Sequence, residues 1–276
     1  MSTPERPLSR TAIEVAILRA LHELCDDPPR ILDDPVIPLL LDGDLVQRAR
    51  ANPEWLLMPR LAALRSHVVL RSRYAEDCLR EAVDRGVRQY VILGSGFDTF
   101  AYRQPEWAGS LRIFETDHAA SQRAKLDRLR ASEIPLPANL EFVAADFETS
   151  PLRDVLSAGG VDCGSPAFFS CLGVLIYLPV DAVQSIFRLV ASFPKLSEIV
   201  FTFSQGSVDA LAKDAAAAGE PWRGSYHPDA LGAELSALGF SQVTFLSPET
   251  ARELYYRDRT DSLPPPRRIT IGRAVV

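Results

Sequence analysis

The order of apolar and polar positions predicts short strands that alternate with helical segments. Five runs of apolar, β-branched or aromatic residues are each followed by a helix-like segment: YVIL, LRIFE, LEFVAA, AFFSCL and EIVFTF. Such alternation indicates a parallel sheet covered by helices. The last two runs, QVTFL and RITIGRAVV, are separated by a short irregular stretch with little room for a crossover helix, which indicates an antiparallel return. We therefore expect a Rossmann-like α/β fold with a seven-stranded, mostly parallel sheet whose last strand is antiparallel.

Two helices are predicted ahead of the first strand. A stretch that begins near Ser9 repeats apolar residues at helical spacing, and a second such pattern covers residues 55–82. The stretch between them is rich in Asp and Pro and is predicted to be mostly loop, because proline lacks an N–H and restricts the residue before it. We expect residues 1–85 to form a helical extension or cap, and residues 86–276 to form a core with which it makes one compact unit.

Composition and charge exclude several classes of protein. The 276 residues are 47% hydrophobic and 24% charged, which is typical of a folded globular chain. A net charge of −6 provides no electrostatic surface for a nucleic acid backbone. The four cysteines have no CxxC spacing and no nearby histidine, so neither a metal site nor a redox pair is expected. The N-terminus has no apolar leader and no run is long enough for a membrane span, so we expect a cytoplasmic protein without a membrane partner.

A glycine turn and a following acid indicate a nucleoside site. Gly94 and Gly96 come directly after the first strand, where glycine allows a close approach of the backbone to a ligand and a positive φ. Asp117 ends the second strand and lies 117 − 96 = 21 residues after the second glycine, close to the spacing of about 20 for an acid that binds ribose hydroxyls. A tight turn used only for packing is the alternative.

The residues after the turn argue against a dinucleotide. Thr99 stands where a dinucleotide site has its third glycine, and Asp98 would repel a pyrophosphate. S-adenosylmethionine is a nucleoside cofactor without phosphates and carries a sulfonium cation, which suits an acidic pocket. We expect this cofactor, with a nicotinamide-dependent oxidoreductase as the competing hypothesis.

The motif VILGSGFDTFAYR resembles the LGAGxDTxxxR signature of the leucine carboxyl methyltransferase family and its bacterial relatives. The resemblance extends over most of the chain through SRTAIEVAILRA, DDP, RSRYAED, FETD, VAADF, LGVLIYLP, GEPW, LGF and RITIGRAVV. It implies the class I methyltransferase fold and S-adenosylmethionine-dependent methylation of oxygen.

The resemblance also implies a set of cofactor contacts, namely Arg71, Gly94, Gly96, Asp117, Asp146 and Phe147. The two glycines would flank the methionine half, and Asp117 would hold the ribose hydroxyls with Glu115 as the alternative. Asp146 and Phe147 would contact adenine through a hydrogen bond and a stacked ring, although they could instead cap a helix and fill the core. Arg71 would bind the cofactor carboxylate, with Arg73 as the alternative; either arginine could also lie on a solvated helix face.

One position departs from the family pattern. Relatives carry a glutamate just before the run that corresponds to GVLIYLP, and this chain has Leu172 there. The apolar replacement predicts a different pocket and puts the phosphatase-methylating activity of the family in doubt. A binding protein that has lost methyl transfer is a further alternative.

The acceptor decides whether a base is needed. A carboxylate needs none at neutral pH, whereas a phenol or an alcohol generally does. His118, His227 and Tyr177 are the candidates, and each could equally be a structural or exposed residue. The N-terminal helix and the segment 207–228 are expected to cover the site and to select an apolar small molecule. A protein C-terminal carboxyl is the alternative acceptor, and a homo-oligomer is possible.

Overall fold

Helices precede the sheet, as the sequence predicts. The computed structural model describes residues 10–44, 47, 51–52, 54, 57–205, 221–259, 261 and 263–276. Helix α1 spans Arg10–Cys25 and helix α2 spans Pro59–Asp84, with a 3₁₀ turn at Ile37–Leu40 between them. Most of the segment 207–228 that was expected to cover the site lies outside the described residues, which resume at residue 221.

The sheet has the predicted strands and the predicted direction at its end. The seven strands are β1 Gln89–Leu93, β2 Arg112–Asp117, β3 Leu140–Ala144, β4 Phe168–Cys171, β5 Glu198–Thr202, β6 Gln242–Phe245 and β7 Ile271–Val275. Their order in the sheet is β3-β2-β1-β4-β5-β7-β6. The pairs from β3 to β5 are parallel, whereas β7 runs antiparallel to both of its neighbours, β5 and β6. The chain reverses its order between β1 and β4, and this switch point is where a ligand binds in open α/β sheets.

Helices connect the strands on both faces of the sheet. They are α3 Ala119–Ala131, α4 Leu152–Ala158, α5 Val180–Ala191, α6 Pro228–Ala237 and α7 Pro248–Ala251, the last continued by a π-helical turn at Arg252–Tyr256. The sequence indicates only irregular structure between β6 and β7, so α7 and this turn correct that expectation. Because β6 and β7 are antiparallel neighbours, the segment between them needs no crossover helix, and a short helix and turn are enough to connect the two strands. Within the described part of the chain, none of the helices has the length and apolar character needed to cross a bilayer.

Alternating side chains of the strands build two core layers. On β1, Val91 and Leu93 pack into the cluster that contains α4, α5 and α6, while Tyr90 and Ile92 pack into the cluster that contains α2. Both faces of β1 are therefore buried, which explains its continuous apolar sequence. Helix α2 covers the sheet directly, although the sequence assigns it to the extension; the division at residue 85 stays a prediction.

Helix α1 packs on the segment that follows β1. Ala16 and Ala20 of α1 belong to a small buried cluster with Ile37, Phe97 and Leu129. Phe97 lies in the glycine turn and Leu129 lies on α3. The N-terminal helix therefore contacts the carboxyl edge of the sheet at the position of the predicted nucleoside site.

We expect Gly272→Ala to destabilise the fold. Gly272 of β7 lies opposite Phe201 of β5, and a Cβ at this position would lie 2.5 Å from Cζ of the Phe201 ring. That ring is fully buried and packs edge-on against Phe187, so it has little room to move. The overpacking should lower the free energy of unfolding by about 1–3 kcal/mol, measured by urea denaturation.

Gly109→Ala is the matched control. A Cβ at Gly109 would have no atom within 4 Å, so this variant should unfold at the wild-type urea concentration. Equal midpoints for the two variants would show that the close approach of β7 to Phe201 places no constraint on the fold.

Candidate functional site

The glycine turn is held against the end of β2. Gly94 and Gly96 have φ values of +75° and +44°, in the region that side chains disfavour. The N–H groups of Gly94 and Ser95 both donate to the carbonyl oxygen of Thr116, at 2.8 and 3.1 Å. A Cβ at Gly94 would overlap Cγ2 of Val174, in the segment after β4. The turn therefore needs glycine both for its conformation and for its contact across the switch point.

Asp117 is bonded directly to this turn. One carboxylate oxygen accepts from the N–H of Gly96 at 2.7 Å, and the other accepts from the N–H of His118 at 2.7 Å. A carboxylate has about four acceptor positions, so these two bonds leave capacity for ribose hydroxyls. The structure therefore places Asp117 where the sequence predicts an acid for the nucleoside.

Glu115 has a different role. Its side chain is fully buried, and one oxygen lies 2.6 Å from Nζ of Lys125, which is also fully buried. Burial raises the pKa of Glu115, and the nearby Lys125 ammonium opposes that shift without cancelling it. Because this carboxylate is paired beneath the surface, the structure favours Asp117 over Glu115 as the ribose acid.

The end of β3 brings together Asp146 and His118. One oxygen of Asp146 accepts from the N–H of Glu148 at 2.9 Å and lies 3.8 Å from Nε2 of His118. The side chain of Asp146 therefore caps a turn, which is the structural interpretation that the sequence allows. It also stays partly exposed at the sheet edge. His118 lies on the same side as Asp117 and Asp146, away from β4 and β5.

The ring of Phe147 packs in the core, which is the second of the two interpretations that the sequence allows. This ring is only 6% exposed and belongs to the core cluster with Val143 and Leu152. Its backbone N–H has no acceptor among the described residues and lies next to Asp146 at the sheet edge. The backbone of Phe147, rather than its ring, is available to a ligand.

Arg71 projects from α2 onto the end of β4. A Cβ at Gly173, where φ is +77°, would lie 2.7 Å from Nη1 of Arg71, so the guanidinium rests on this glycine. Among the described residues, no hydrogen bond or ion pair satisfies it. Burial lowers the pKa of Arg71 to about 10; Tyr177 and Asp98 act in the opposite sense, and Arg19 adds to the lowering. The group stays cationic at neutral pH and is suited to bind an anion.

The alternative arginine lies elsewhere. Nε of Arg73 donates to Asp77 at 2.9 Å on the same helix, and its side chain is 42% exposed. Its guanidinium also lies 6.0 Å from the centre of the Tyr255 ring. Arg73 therefore occupies the solvated face that the sequence allows for either arginine, and Arg71 is the one at the sheet edge.

Leu172 explains why Arg71 has no acidic partner from β4. Its side chain is partly buried and packs against the cluster around α2. Gly173 follows and donates its N–H to Oγ1 of Thr202 at 2.6 Å, which fixes the backbone beneath Arg71. Tyr177 ends the 3₁₀ turn Leu175–Tyr177 and acts electrostatically on Arg71. The Arg71 guanidinium therefore lies near the phenol of Tyr177, and Leu172 offers it no carboxylate.

Residues 221–227 cross the carboxyl edge of the sheet, and we call them the strap. Arg223 donates its backbone N–H to Ile176 at 2.7 Å, and its side chain pairs with Glu148 at 3.0 Å. Tyr226 donates its N–H to the carbonyl oxygen of Ser204 at 2.8 Å. The strap is thus attached to the segments that follow β3, β4 and β5.

His227 lies at the outer end of the strap. Its side chain is 68% exposed and lies 3.7 Å from Asp229 in the first turn of α6. This position does not bring the imidazole to Arg71 or Gly173, so the structure does not place His227 with the other predicted site residues.

A buried charged cluster joins α1 to the glycine turn. Arg19 donates to Asp34 at 2.5 Å and to Oγ1 of Thr99 at 2.8 Å, and Thr99 donates in turn to Asp34 at 2.8 Å. Arg103 donates to Thr99 at 3.1 Å and to Glu76 of α2 at 3.0 Å. The sequence singles out Thr99 only as a missing glycine. Arg19 and Asp34 are 15 residues apart and Arg103 and Glu76 are 27 residues apart, so sequence spacing alone does not predict that they pair.

His67 is a residue near the site that the sequence pattern does not predict. It lies one helical turn before Arg71 on α2. Its Nδ1 is 3.4 Å from Oγ1 of Thr270. Burial and the charge of Arg71 lower the pKa of His67 to about 3, so the ring is neutral across the physiological range. The spacing of four residues from Arg71 is the signal that could have found it.

Comparison with known proteins agrees with this geometry. The family model described as leucine carboxyl methyltransferase matches residues 12–191. The chain belongs to the leucine carboxyl methyltransferase family. A relative from Frankia alni, assigned by name to the S-adenosyl-L-methionine-dependent methyltransferases, is 35% identical over 85% of this chain and 83% of its own. A second relative with such a name, YktD from Bacillus subtilis, is 29% identical over 92% of this chain and 93% of its own.

Solved structures agree on the fold. A protein from Thermobifida fusca, described as a methyltransferase, superposes with a TM-score of 0.57 at 18% identity and covers 95% of this chain and 93% of its own. A protein of the DUF574 family from Streptomyces avermitilis gives a TM-score of 0.54 at 19% identity, over 94% of this chain and 96% of its own. The predicted class I methyltransferase fold is thus confirmed.

The protein is an S-adenosylmethionine-dependent methyltransferase. This conclusion sets aside the nicotinamide-dependent oxidoreductase and the binding protein without transfer activity. The residues present fit the cofactor: Asp117 offers acceptors for ribose hydroxyls, and the cation of Arg71, to which no described residue is paired, suits a carboxylate. None of the site residues named here needs a phosphate group on the ligand.

We expect Asp34→Asn to destabilise the protein by about 3 kcal/mol, because it leaves the buried Arg19 guanidinium without its counter-charge. Burial raises the pKa of Asp34, but Arg19, Arg103 and the Thr99 hydrogen bond outweigh it and lower the pKa below 3.8. The stabilisation is therefore present above that pH and is lost as the pH falls below it. Urea denaturation from pH 7 to pH 3 should show the variant and the wild type converging.

Asp33→Asn provides the control at the neighbouring position. Asp33 is exposed, so its neutralisation should leave the unfolding midpoint almost unchanged at pH 7. A loss of stability in this variant equal to that of Asp34→Asn would mean that the cluster contributes nothing specific.

Proposed function

We propose that the protein transfers a methyl group from S-adenosylmethionine to a carboxylate or hydroxyl oxygen of a small molecule. The observation that carries this proposal is the guanidinium of Arg71, which has no hydrogen-bond or ion-pair partner in the described part of the chain. It lies against Gly173, across the switch point from the glycine turn. It supports a cofactor orientation with the carboxylate near β4 and the nucleoside near β2 and β3. Family membership supports oxygen as the methylated atom.

The residues of this chain divide the work of holding the cofactor. When bound, S-adenosylmethionine supplies an electrophilic methyl group on a sulfonium. Arg71 would bind the carboxylate, and Gly94 and Gly96 would allow the backbone to approach the methionine half. Asp117 would hold the ribose hydroxyls, while Asp146 and the backbone N–H of Phe147 would face adenine with one acceptor and one donor. Their contribution to rate is to fix the position of the methyl group relative to the acceptor.

The covering segments favour a small acceptor. Cβ of Ala12 on α1 lies 3.6 Å from the position that a Cβ on Gly96 would take, so the N-terminal helix lies directly over the glycine turn. The strap adds a second cover over the ends of β4 and β5. A protein C-terminus would need an open groove at this edge, so these covers weigh against that alternative.

The remaining properties follow from composition. The net charge of −6 supports a protein without a nucleic acid partner, and we propose no membrane partner. The described cysteines Cys25, Cys78, Cys163 and Cys171 are all free thiols, which supports a cytoplasmic location. Sedimentation velocity tests whether the protein forms a homo-oligomer.

We predict that Arg71→Gln weakens binding of S-adenosylhomocysteine by about 10- to 100-fold, because a hydrogen bond to a charged group is lost. Binding of 5′-methylthioadenosine, which lacks the carboxylate, should change little. Asp117→Ala should weaken both ligands, since both carry the ribose. Isothermal titration calorimetry measures all of these affinities.

Arg73→Gln is the matched control for the first variant, since it removes the same charge two residues away on a solvated face. It should bind both ligands as the wild type does, and NADH should not bind to any of the proteins. Equal losses for the two arginine variants would reject Arg71 as the carboxylate ligand. Failure of the wild type to bind S-adenosylhomocysteine would overturn the cofactor assignment.

We predict that the methyl group is transferred to low-mass compounds. Wild-type protein would be incubated with radiolabelled S-adenosylmethionine and a bacterial extract that is divided by ultrafiltration into a small-molecule fraction and a protein fraction. Label should enter the first fraction, and its release as methanol in mild alkali would identify a methyl ester rather than an ether. Label confined to the protein fraction would favour the protein carboxyl alternative. The label incorporated by the Arg71→Gln variant, which should bind the cofactor weakly, gives the background level.

A further inference from the structure

The half of the site that the cofactor contacts leave free lies over β4 and β5. Asp117 and Asp146 lie at the ends of β2 and β3, on the other side of the switch point. Arg71 marks the boundary, because its guanidinium rests on Gly173 directly after β4. An acceptor must approach from the side opposite the nucleoside, so the side chains near the ends of β4 and β5 are the ones that contact it.

His67 lies on that side. It precedes Arg71 by four residues, so the two side chains lie on the same face of α2. Its partner Thr270 directly precedes β7, and the carbonyl oxygen of Thr270 accepts from the N–H of Phe203 at 3.0 Å. The imidazole is therefore placed beside the carboxyl end of β5, one helical turn from Arg71.

The hydrogen bonds of His67 leave one ring nitrogen for a ligand. Nδ1 lies 3.4 Å from Oγ1 of Thr270, and Nε2 has no hydrogen-bond partner among the described residues. If Nδ1–H donates to Thr270, Nε2 carries a lone pair and can accept a proton. Because Leu172 is apolar, β4 offers no acid at this place to take that role.

We propose that His67 is the base of this methyltransferase and accepts the proton of a hydroxyl-bearing acceptor, a phenol or an alcohol. This inference rests on the proposed function and narrows its acceptor class. In the step, the acceptor oxygen forms a bond to the methyl carbon while the bond from that carbon to sulfur breaks and leaves its electron pair on sulfur. The hydroxyl proton passes to Nε2 and then to solvent. Thr270 is a positioning residue, since it orients the ring.

Arg71 links this base to the cofactor. In the free protein, burial and the Arg71 charge keep His67 neutral, with a pKa of about 3. A carboxylate bound to Arg71 offsets the nearby positive charge, so the pKa of His67 rises when the cofactor is present. Thr270, the other group that bonds to the ring, carries no charge. The ring should thus gain proton affinity when the cofactor carboxylate is bound to Arg71.

The first test is an NMR titration of histidine labelled with ¹³C at the ring. The four histidines are separated by assigning the His67 resonance as the one lost in His67→Gln. We expect this resonance to show a neutral ring from pH 8 down to pH 5. S-adenosylhomocysteine should raise the His67 pKa, and 5′-methylthioadenosine, which has no carboxylate, should not.

Two results of this titration would overturn the proposed coupling of His67 to the cofactor. One is a His67 ring that titrates near 6.5 in the free protein, which would place it in open solvent. The other is an equal response to both ligands, which would remove the link through Arg71. In Arg71→Gln, the pKa of His67 should already be higher without ligand, and S-adenosylhomocysteine should then have little effect.

The second test uses the acceptor that the labelled-methyl experiment returns. For a hydroxyl acceptor, His67→Gln should lower kcat by about 100-fold or more at pH 7 with little change in KM. The loss should shrink as the pH approaches the ionisation of the acceptor itself. Thr270→Val should give a smaller loss, and Thr270→Ser should restore it because the hydroxyl returns.

Failure of this inference can be separated from failure of the proposed function. His67→Gln that binds S-adenosylhomocysteine as the wild type does, but methylates at the wild-type rate, would reject His67 as the base and leave the methyltransferase assignment intact. If His67→Gln forms a methyl ester at the wild-type rate, the acceptor is a carboxylate. A carboxylate needs no base, so this result would also reject the role of His67. Loss of ligand binding in the wild type would instead remove the proposed function.

Discussion

The buried charged cluster around Asp34 is the interaction on which the site depends. Asp34 and Arg19 are almost inaccessible to water, and burying either charge alone would cost several kcal/mol. Thr99 bonds to both of them, and Arg103 links Thr99 to Glu76 on α2. Since each member satisfies another, none can leave the cluster without leaving a buried polar group unpaired.

The consequence of this cluster is a fixed cover over the glycine turn. It joins α1, the loop after it, the glycine turn and α2, which are separated by up to 80 residues along the chain. A purely apolar contact between α1 and the turn would allow sliding, whereas a cluster of directional hydrogen bonds allows one arrangement. The cofactor half of the site is thus bounded by a segment whose position is set by charge pairing.

Helix α2 has three roles at once. Its apolar residues, such as Leu79, cover the sheet; Glu76 joins the cluster; and Arg71 and His67 reach the carboxyl edge. The pairing of Arg73 with Asp77 shows what an ordinary exposed arginine does on the same helix. Arg71 differs because it lies against Gly173 and has no hydrogen-bond or ion-pair partner among the described residues.

The sequence by itself determined the sheet, its antiparallel end, the glycine turn and Asp117. These features follow from local patterns, because strand period, glycine conformation and the spacing from turn to acid are all written within short segments. The tertiary structure distinguishes Asp117 from Glu115, and Arg71 from Arg73. Each pair has the same chemistry and nearly the same position along the chain, and only burial and partners distinguish its members.

The remaining site residues could not be derived from local pattern. Phe147 was open to a place in either the core or the site, and packing against Val143 decided the matter. His67, Asp34 and Thr99 acquire their roles from partners that are distant in sequence, and a single chain gives no measure of such distances. Local sequence thus determined where the site lies, and the long-range pairing of buried charges and hydrogen bonds decided which side chains form it.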